Sequence, residues 1–163
     1  MAARLVIGMT GGEGLAYGVR LLETLRDTAF ETHLALSEDA RAALGPQAEV
    51  ACGLADRVHA VSNLAAPISS GSFRTQGMIV APCSARALAA IVSGLATNLL
   101  YRAADVTLKE GRTLVLGLSG SALGPIGLEH LARAALVPGL EVVSLEGSAD
   151  EAVARLLAPF AAS

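Results

Sequence analysis

Short apolar runs alternate with longer amphipathic stretches along the whole chain. Leu5 to Gly8 is apolar and runs into Thr10-Gly11-Gly12-Glu13-Gly14. Beyond that turn, Leu15, Val19, Leu22 and Leu25 recur at helical spacing and predict a helix over Leu15 to Arg26. Glu31 to Leu36 reads as a second strand, with the partial alternation of a strand covered on both faces. Ser37 then stands at an N-cap position, with Glu38 and Asp39 in the first turn of the next helix. Gly45-Pro46 breaks that helix. Residues 47–63 have no decisive period apart from a short strand over Val58 to Val61, and Ala65 to Ser72 is a loop of small residues.

The second half repeats the alternation. Met78 to Ala81 is a strand that ends in Pro82-Cys83-Ser84, and a helix runs from Ser84 to Val92. Gly94 marks a turn, and Asn98 caps a helix over Leu99 to Lys109 that stops at Gly111. Arg102, Asp105 and Lys109 lie three and four residues apart and share one face of it. Leu114 to Gly117 is a strand, followed by a loop from Leu118 to Gly124. Pro125 suits the first turn of a helix reaching Ala135. Pro138-Gly139 is a turn, Glu141 to Leu145 a last strand and Ala149 to Leu157 a last helix. This order predicts one α/β domain over residues 1–163, with a parallel sheet and helices on both faces.

Composition adds an assembly. The chain has 163 residues, 53% hydrophobic, 3% aromatic and 17% charged, with mean hydropathy +0.55. A chain this apolar is expected to hide surface in subunit contacts, so a homo-oligomer is predicted. A net charge of −3 argues against a nucleic-acid binder. Each apolar run is too short to cross a bilayer, and no basic amphipathic stretch suggests a membrane surface. The first residues lack the layout of a signal peptide, which predicts a cytoplasmic protein. Cys52 and Cys83 are too few and too far apart for a disulfide framework or a metal site, and Cys83 reads as a small buried hydrophobe.

Three places could hold an anion. The turn Thr10 to Gly14 is either a phosphate or flavin site or a plain turn, and Glu13 brings a like charge to it. Ser37 is a helix cap whose hydroxyl could also serve a ligand phosphate. Pro82-Cys83-Ser84 joins a strand to a helix N-terminus, the arrangement that presents backbone N–H groups to an anion. Arg102 and Lys109 belong either to a surface ion-pair ladder or to an anion site.

The stretch "APCSARALAAIVSGLATNLLYRAADVTLKEGRTLVL" strongly resembles the UbiX-type flavin prenyltransferases, within the homo-oligomeric flavin-containing cysteine decarboxylase superfamily. "VIGMTGGEGLAYGVRLLETL", "ETHLALSEDA" and "APISSGSFRTQGMIVAPCS" extend the likeness in the right order. The resemblance implies a Rossmann-like three-layer α/β sandwich, assembled as a trimer or dodecamer with FMN at a subunit interface. It implies FMN contacts from Thr10, Gly11, Gly12, Ser37, Ser70, Ser72, Cys83, Ser84 and Arg102. It makes Lys109 and Arg102 candidates for the catalytic role, with Lys109 matching a phosphate-binding lysine; Glu13, in the Gly-rich turn, is a third candidate that the resemblance itself does not supply. The implied reaction moves the prenyl group of dimethylallyl phosphate to reduced FMN, giving prenylated FMN for a UbiD-like decarboxylase.

The chain departs from the family pattern at three places. Glu13 stands where the family has serine. Ser119-Gly120-Ser121-Ala122 stands where it has an Arg-Glu pair followed by Ala-Pro. A C-terminal tyrosine and arginine have no counterpart, and the tail offers Arg155. Removing one charge-assisted hydrogen bond to a phosphate costs about 1.5–3 kcal/mol. The sequence therefore predicts that prenyl-phosphate binding is weak or absent while the fold and FMN binding survive. It leaves three functions open: a prenyltransferase by a modified route, a non-prenylating flavin carrier or FMN redox protein, and a degenerate paralogue serving as a structural partner.

Overall fold

The computed structural model describes residues 2–119 and 123–161. Among them are six strands: β1 (Ala3–Met9), β2 (Phe30–Leu36), β3 (Arg57–Ala60), β4 (Gly77–Val80), β5 (Thr113–Leu118) and β6 (Leu140–Ser144). Seven helices connect or follow them: α1 (Leu15–Leu25), α2 (Glu38–Leu44), α3 (Gln47–Leu54), α4 (Ala85–Val92), α5 (Leu99–Lys109), α6 (Pro125–Ala134) and α7 (Ala149–Leu157). All strand pairings are parallel, in the order β3-β2-β1-β4-β5-β6. The expected Rossmann-like sandwich is therefore correct.

Alternation along the strands makes two cores. Leu5, Ile7 and Met9 of β1, with Ile79 and Val115, face a layer formed by α1, α2, α3 and α7 through Leu21, Leu22, Ala40, Ala51 and Leu156. Val6, Met78, Val80, Leu114 and Leu116 face the opposite layer, formed by α4, α5 and α6 through Leu88, Ile91, Leu99, Leu100 and Ala134. Gly18 lets α1 press onto the sheet, since a Cβ there would collide with the Ala81 carbonyl and the Met9 side chain. Fully burying one Leu or Ile contributes about 1.5–3 kcal/mol, so these two layers hold the sheet.

The predicted elements survive with ends shifted by a residue or two. α3 is the exception, because it falls in the stretch 47–63 that carries no decisive period. Gln47–Leu54 buries only Ala48 and Ala51, so its helical period is written in small residues. The Ala65–Ser72 loop contains a 3₁₀ turn at Pro67–Ser69, which packs Ile68 into the second core.

The strand order reverses direction between β1 and β4. In such sheets a ligand crevice opens beyond the C-terminal ends of the strands at that point. The loops after β1, β2 and β4 meet there.

Candidate functional site

Thr10 ties two of these loops together. Its hydroxyl donates to the Pro82 carbonyl at 2.9 Å and accepts from the Ser84 amide at 2.8 Å, while its own amide donates to Pro82 at 3.0 Å. The side chain is buried, so this role is architectural. Gly11 and Gly12 follow, and their amides donate to no group among the described residues. Gly12 has φ +103°, a conformation that favours glycine. A Cβ at Gly11 would lie 2.8 Å from the Asp39 Cβ, so the turn runs hard against the start of α2.

Two serine-capped helices open on this turn. Ser37 accepts from the Ala40 amide at 3.0 Å, and Ser84 accepts from the Ala87 amide at 3.1 Å. Each hydroxyl can still donate its proton. Arg86, in the first turn of α4, pairs with Asp39 of α2 at 3.6 Å across the opening. Beside it lies a cavity of ≈ 570 Å³ lined by Ser37, Asp39, Val61, Leu64, Arg86 and Tyr101, among others. That is within the usual range of ligand clefts. Burial pushes the Tyr101 phenol upward, with Cys83 adding to the shift and Arg86 opposing it. Burial also pushes the Cys83 thiol up, so it stays protonated and is no nucleophile, in line with the sequence reading.

Two of the departures read from the sequence meet in space. Ser119 Oγ donates to Glu13 Oε2 at 3.1 Å, joining the loop after β1 to the loop after β5. Gly120, Ser121 and Ala122 lie outside the described residues. In the tail, Arg155 donates to the carbonyls of Ser144 and Glu146 at 2.9 and 2.7 Å. That side chain is committed to closing the end of β6.

The remaining candidates lie elsewhere. The Ser70 and Ser72 hydroxyls bond each other at 2.9 Å, on either side of Gly71. The Gly71 carbonyl accepts from Arg112 at 2.8 Å, and Arg112 directly precedes β5. This pair therefore sits at the edge where the strands begin, opposite the crevice. α5 runs from one edge to the other: Leu99 donates to the Val61 carbonyl beside the crevice, and Lys109 ends the helix at the far edge. Lys109 pairs with Asp105 at 3.0 Å, which is one rung of the expected ladder; Arg102 joins no ion pair among the described residues. Arg102 is exposed on α5 near the crevice end, about 10 Å along the axis from Lys109. One chain thus gathers Thr10, Gly11, Gly12, Glu13, Ser37, Cys83 and Ser84, and leaves Ser70, Ser72 and Lys109 at the opposite edge.

A flavoprotein family model matches residues 2–123. Flavin prenyltransferase UbiX of Neisseria meningitidis serogroup B is 44% identical over 144 residues, covering 86% of this chain and 76% of its own. The chain belongs to the UbiX-type flavin prenyltransferase family of flavoproteins. A crystal structure of a dodecameric FMN-dependent UbiX-like decarboxylase from Escherichia coli O157:H7 matches with TM-score 0.88 and 41% identity, over 96% of this chain and 93% of that one. The structure of AnUbiX in complex with FMN and dimethylallyl pyrophosphate matches with TM-score 0.89 and 38% identity, over 98% and 93%.

The donor set of this UbiX-type crevice fits an FMN phosphate. Two helix N-termini, two serine hydroxyls and two glycine amides converge there, donors suited to an anion, while Glu38 and Asp39 line the same cavity and Arg86 offsets Asp39 at 3.6 Å. Val61, Leu64 and Tyr101 give a mostly apolar wall for a planar ring. Sequence reasoning missed Arg86, Tyr101 and this wall. Arg86 had a usable signal, a basic residue two positions after a helix cap. Val61 and Leu64 had none, since they sit in an aperiodic stretch. Among the described residues there is no cluster fit to hold a metal ion and no helix long and apolar enough to cross a membrane.

Proposed function

We propose that the protein is a flavin prenyltransferase that joins the dimethylallyl group of dimethylallyl phosphate to reduced FMN. The observation that carries this reading is the crevice between β1 and β4, a ready anion cradle beside a mostly apolar wall. Ser37, Gly11, Gly12 and Ser84 hold the FMN phosphate, and Arg86 adds positive charge. Val61, Leu64 and Tyr101 pack the flavin ring and exclude water from it. Bound reduced FMN supplies the nucleophilic ring atoms.

The leaving phosphate needs cations of its own, and the crevice offers Arg86 alone among the residues named on its walls. The two-edge arrangement supports supply by a second copy of the chain, which brings Lys109, Ser70 and Ser72 to the open side, while Arg102 reaches in from α5. A preorganised cation beside a departing phosphate stabilises the charge that develops on it. The product, prenylated FMN, passes to a UbiD-like decarboxylase, and the homo-oligomer works in the cytoplasm. The relatives favour this reading over a flavin carrier or a silent structural paralogue.

The test uses purified protein with FMN, a chemical reductant and dimethylallyl phosphate. The expected result is a flavin heavier by one prenyl group. Tight FMN binding with no change in flavin mass would leave only a flavin carrier.

A further inference from the structure

The loops over the C-terminal ends of β1, β4 and β5 carry two ionisable side chains, Glu13 and Cys83. Burial holds the Cys83 thiol in its protonated form. The Thr10 hydroxyl is engaged on both sides, by Pro82 and by Ser84. Glu38 and Asp39 at the start of α2 line the far side of the cavity, where Asp39 pairs with Arg86 at 3.6 Å, so on the β1–β5 side Glu13 is the carboxylate placed for proton exchange. The carboxylate sits on a turn shaped by Gly12 and Gly14, with φ +103° and +102°. Its Oε2 accepts from Ser119 across a separation of 106 residues. The bond spans β4, which lies between β1 and β5 in the sheet. The carboxylate is therefore held from both sides at the mouth of the anion cradle. Ionised, it opposes a bound phosphate; protonated, it can donate to one. A group that gains and loses a proton during turnover uses both states.

On the prenyl-transfer reading given above, we propose that Glu13 is the proton-transfer carboxylate of this site and that Ser119 is its positioning residue. The carbon–oxygen bond of the allylic phosphate breaks, and that carbon bonds to the reduced flavin. The flavin proton displaced in forming this bond moves to Glu13, which hands it to the released phosphate. The balance closes without any oxidant or further reductant.

Two measurements test this. In cofactor-free protein carrying isotope-labelled glutamate, the Glu13 carboxyl band is followed against pH by infrared spectroscopy, assigned by its loss in Glu13→Gln. Ser119→Ala removes a donor to the charged form and raises the Glu13 midpoint by about one pH unit. Ser119→Thr restores it. In turnover, Glu13→Gln lowers the rate roughly 100-fold or more while FMN still binds. Ser119→Ala moves the acid limb of the pH–rate profile by the same amount as the carboxyl midpoint. The proposal is overturned if Glu13→Gln turns over like the wild type, if Ser119→Ala leaves the midpoint in place, or if the midpoint moves and the profile does not. A wild type that binds FMN and never prenylates it would instead overturn the functional reading, and the proton step with it.

Discussion

Replacing Thr10 by valine separates architecture from ligand contact. Valine keeps the shape of threonine and removes its hydroxyl. Two bonds disappear, at 2.9 Å to Pro82 and 2.8 Å from Ser84. Their costs differ. The Pro82 carbonyl keeps the Thr10 amide at 3.0 Å, so it stays satisfied. The Ser84 amide has no such replacement in a part-buried position, and an unsatisfied buried donor costs about 1–3 kcal/mol. The expected total is about 2–3 kcal/mol. For a domain of this size, each kcal/mol lowers the melting temperature by roughly 2–4 °C, giving a fall of about 5–10 °C. Thr10→Ser is the control: it keeps both bonds and removes one methyl, at a cost of about 1 kcal/mol. Urea and thermal unfolding of both variants at one protein concentration make the comparison, since association shifts apparent stability. If the valine variant is as stable as the serine variant, the hydroxyl is not the tie between the loops.

Other outcomes follow from the same geometry. Ser37→Ala removes the cap of α2 and lowers stability by about 1 kcal/mol, with a parallel loss of FMN affinity in a fluorescence titration; intact affinity would move the phosphate away from α2. Lys109→Ala breaks an exposed i,i+4 pair worth no more than about 0.5 kcal/mol, so unfolding is unchanged while turnover falls. Mixing that variant with one disabled at Gly11 restores activity in part if the two edges come from different copies, and an inert mixture would place Lys109 outside the site. Stability falls as pH drops below about 6.5, the ordinary value from which half-burial, His33 and Arg57 depress His59. The sign follows because the unfolded chain binds a proton there that the folded chain refuses. His59→Gln flattens that slope in pH-dependent unfolding, and an unaltered slope would assign it to other groups.

The elements and the helix caps were legible because each rests on near neighbours. Ser37 and Asn98 cap the helices expected of them, at 3.0 and 2.9 Å, and Ser84, read as the first residue of its helix, caps it at 3.1 Å. The turn at Thr10 was legible as a possible site from its glycines, but not as a tie to Ser84, 74 residues away. His59 bonds His33 through its ring at 2.9 Å and stacks on it at 5.2 Å, a partner on the adjacent strand that no local period reveals. α3 went unseen because alanines at its buried positions leave almost no contrast with their polar neighbours. The division of the candidates between two edges was illegible for a different reason. Residues close along α5 share a face, but only the direction of α5 across the sheet tells which end each one reaches. The Glu13–Ser119 bond likewise joins two loops far apart in sequence.

The close approach of Gly11 to α2 has a consequence for how this crevice could change. Any side chain at position 11 must displace Asp39, whose Cβ would lie 2.8 Å away. α2 is seven residues long and buries Ala40 alone, so it yields more readily than the sheet beneath it. A single substitution at position 11 would therefore act as a wedge that widens the mouth and pulls Asp39 from Arg86. Ligand size could then be retuned in one mutational step, without disturbing either hydrophobic layer.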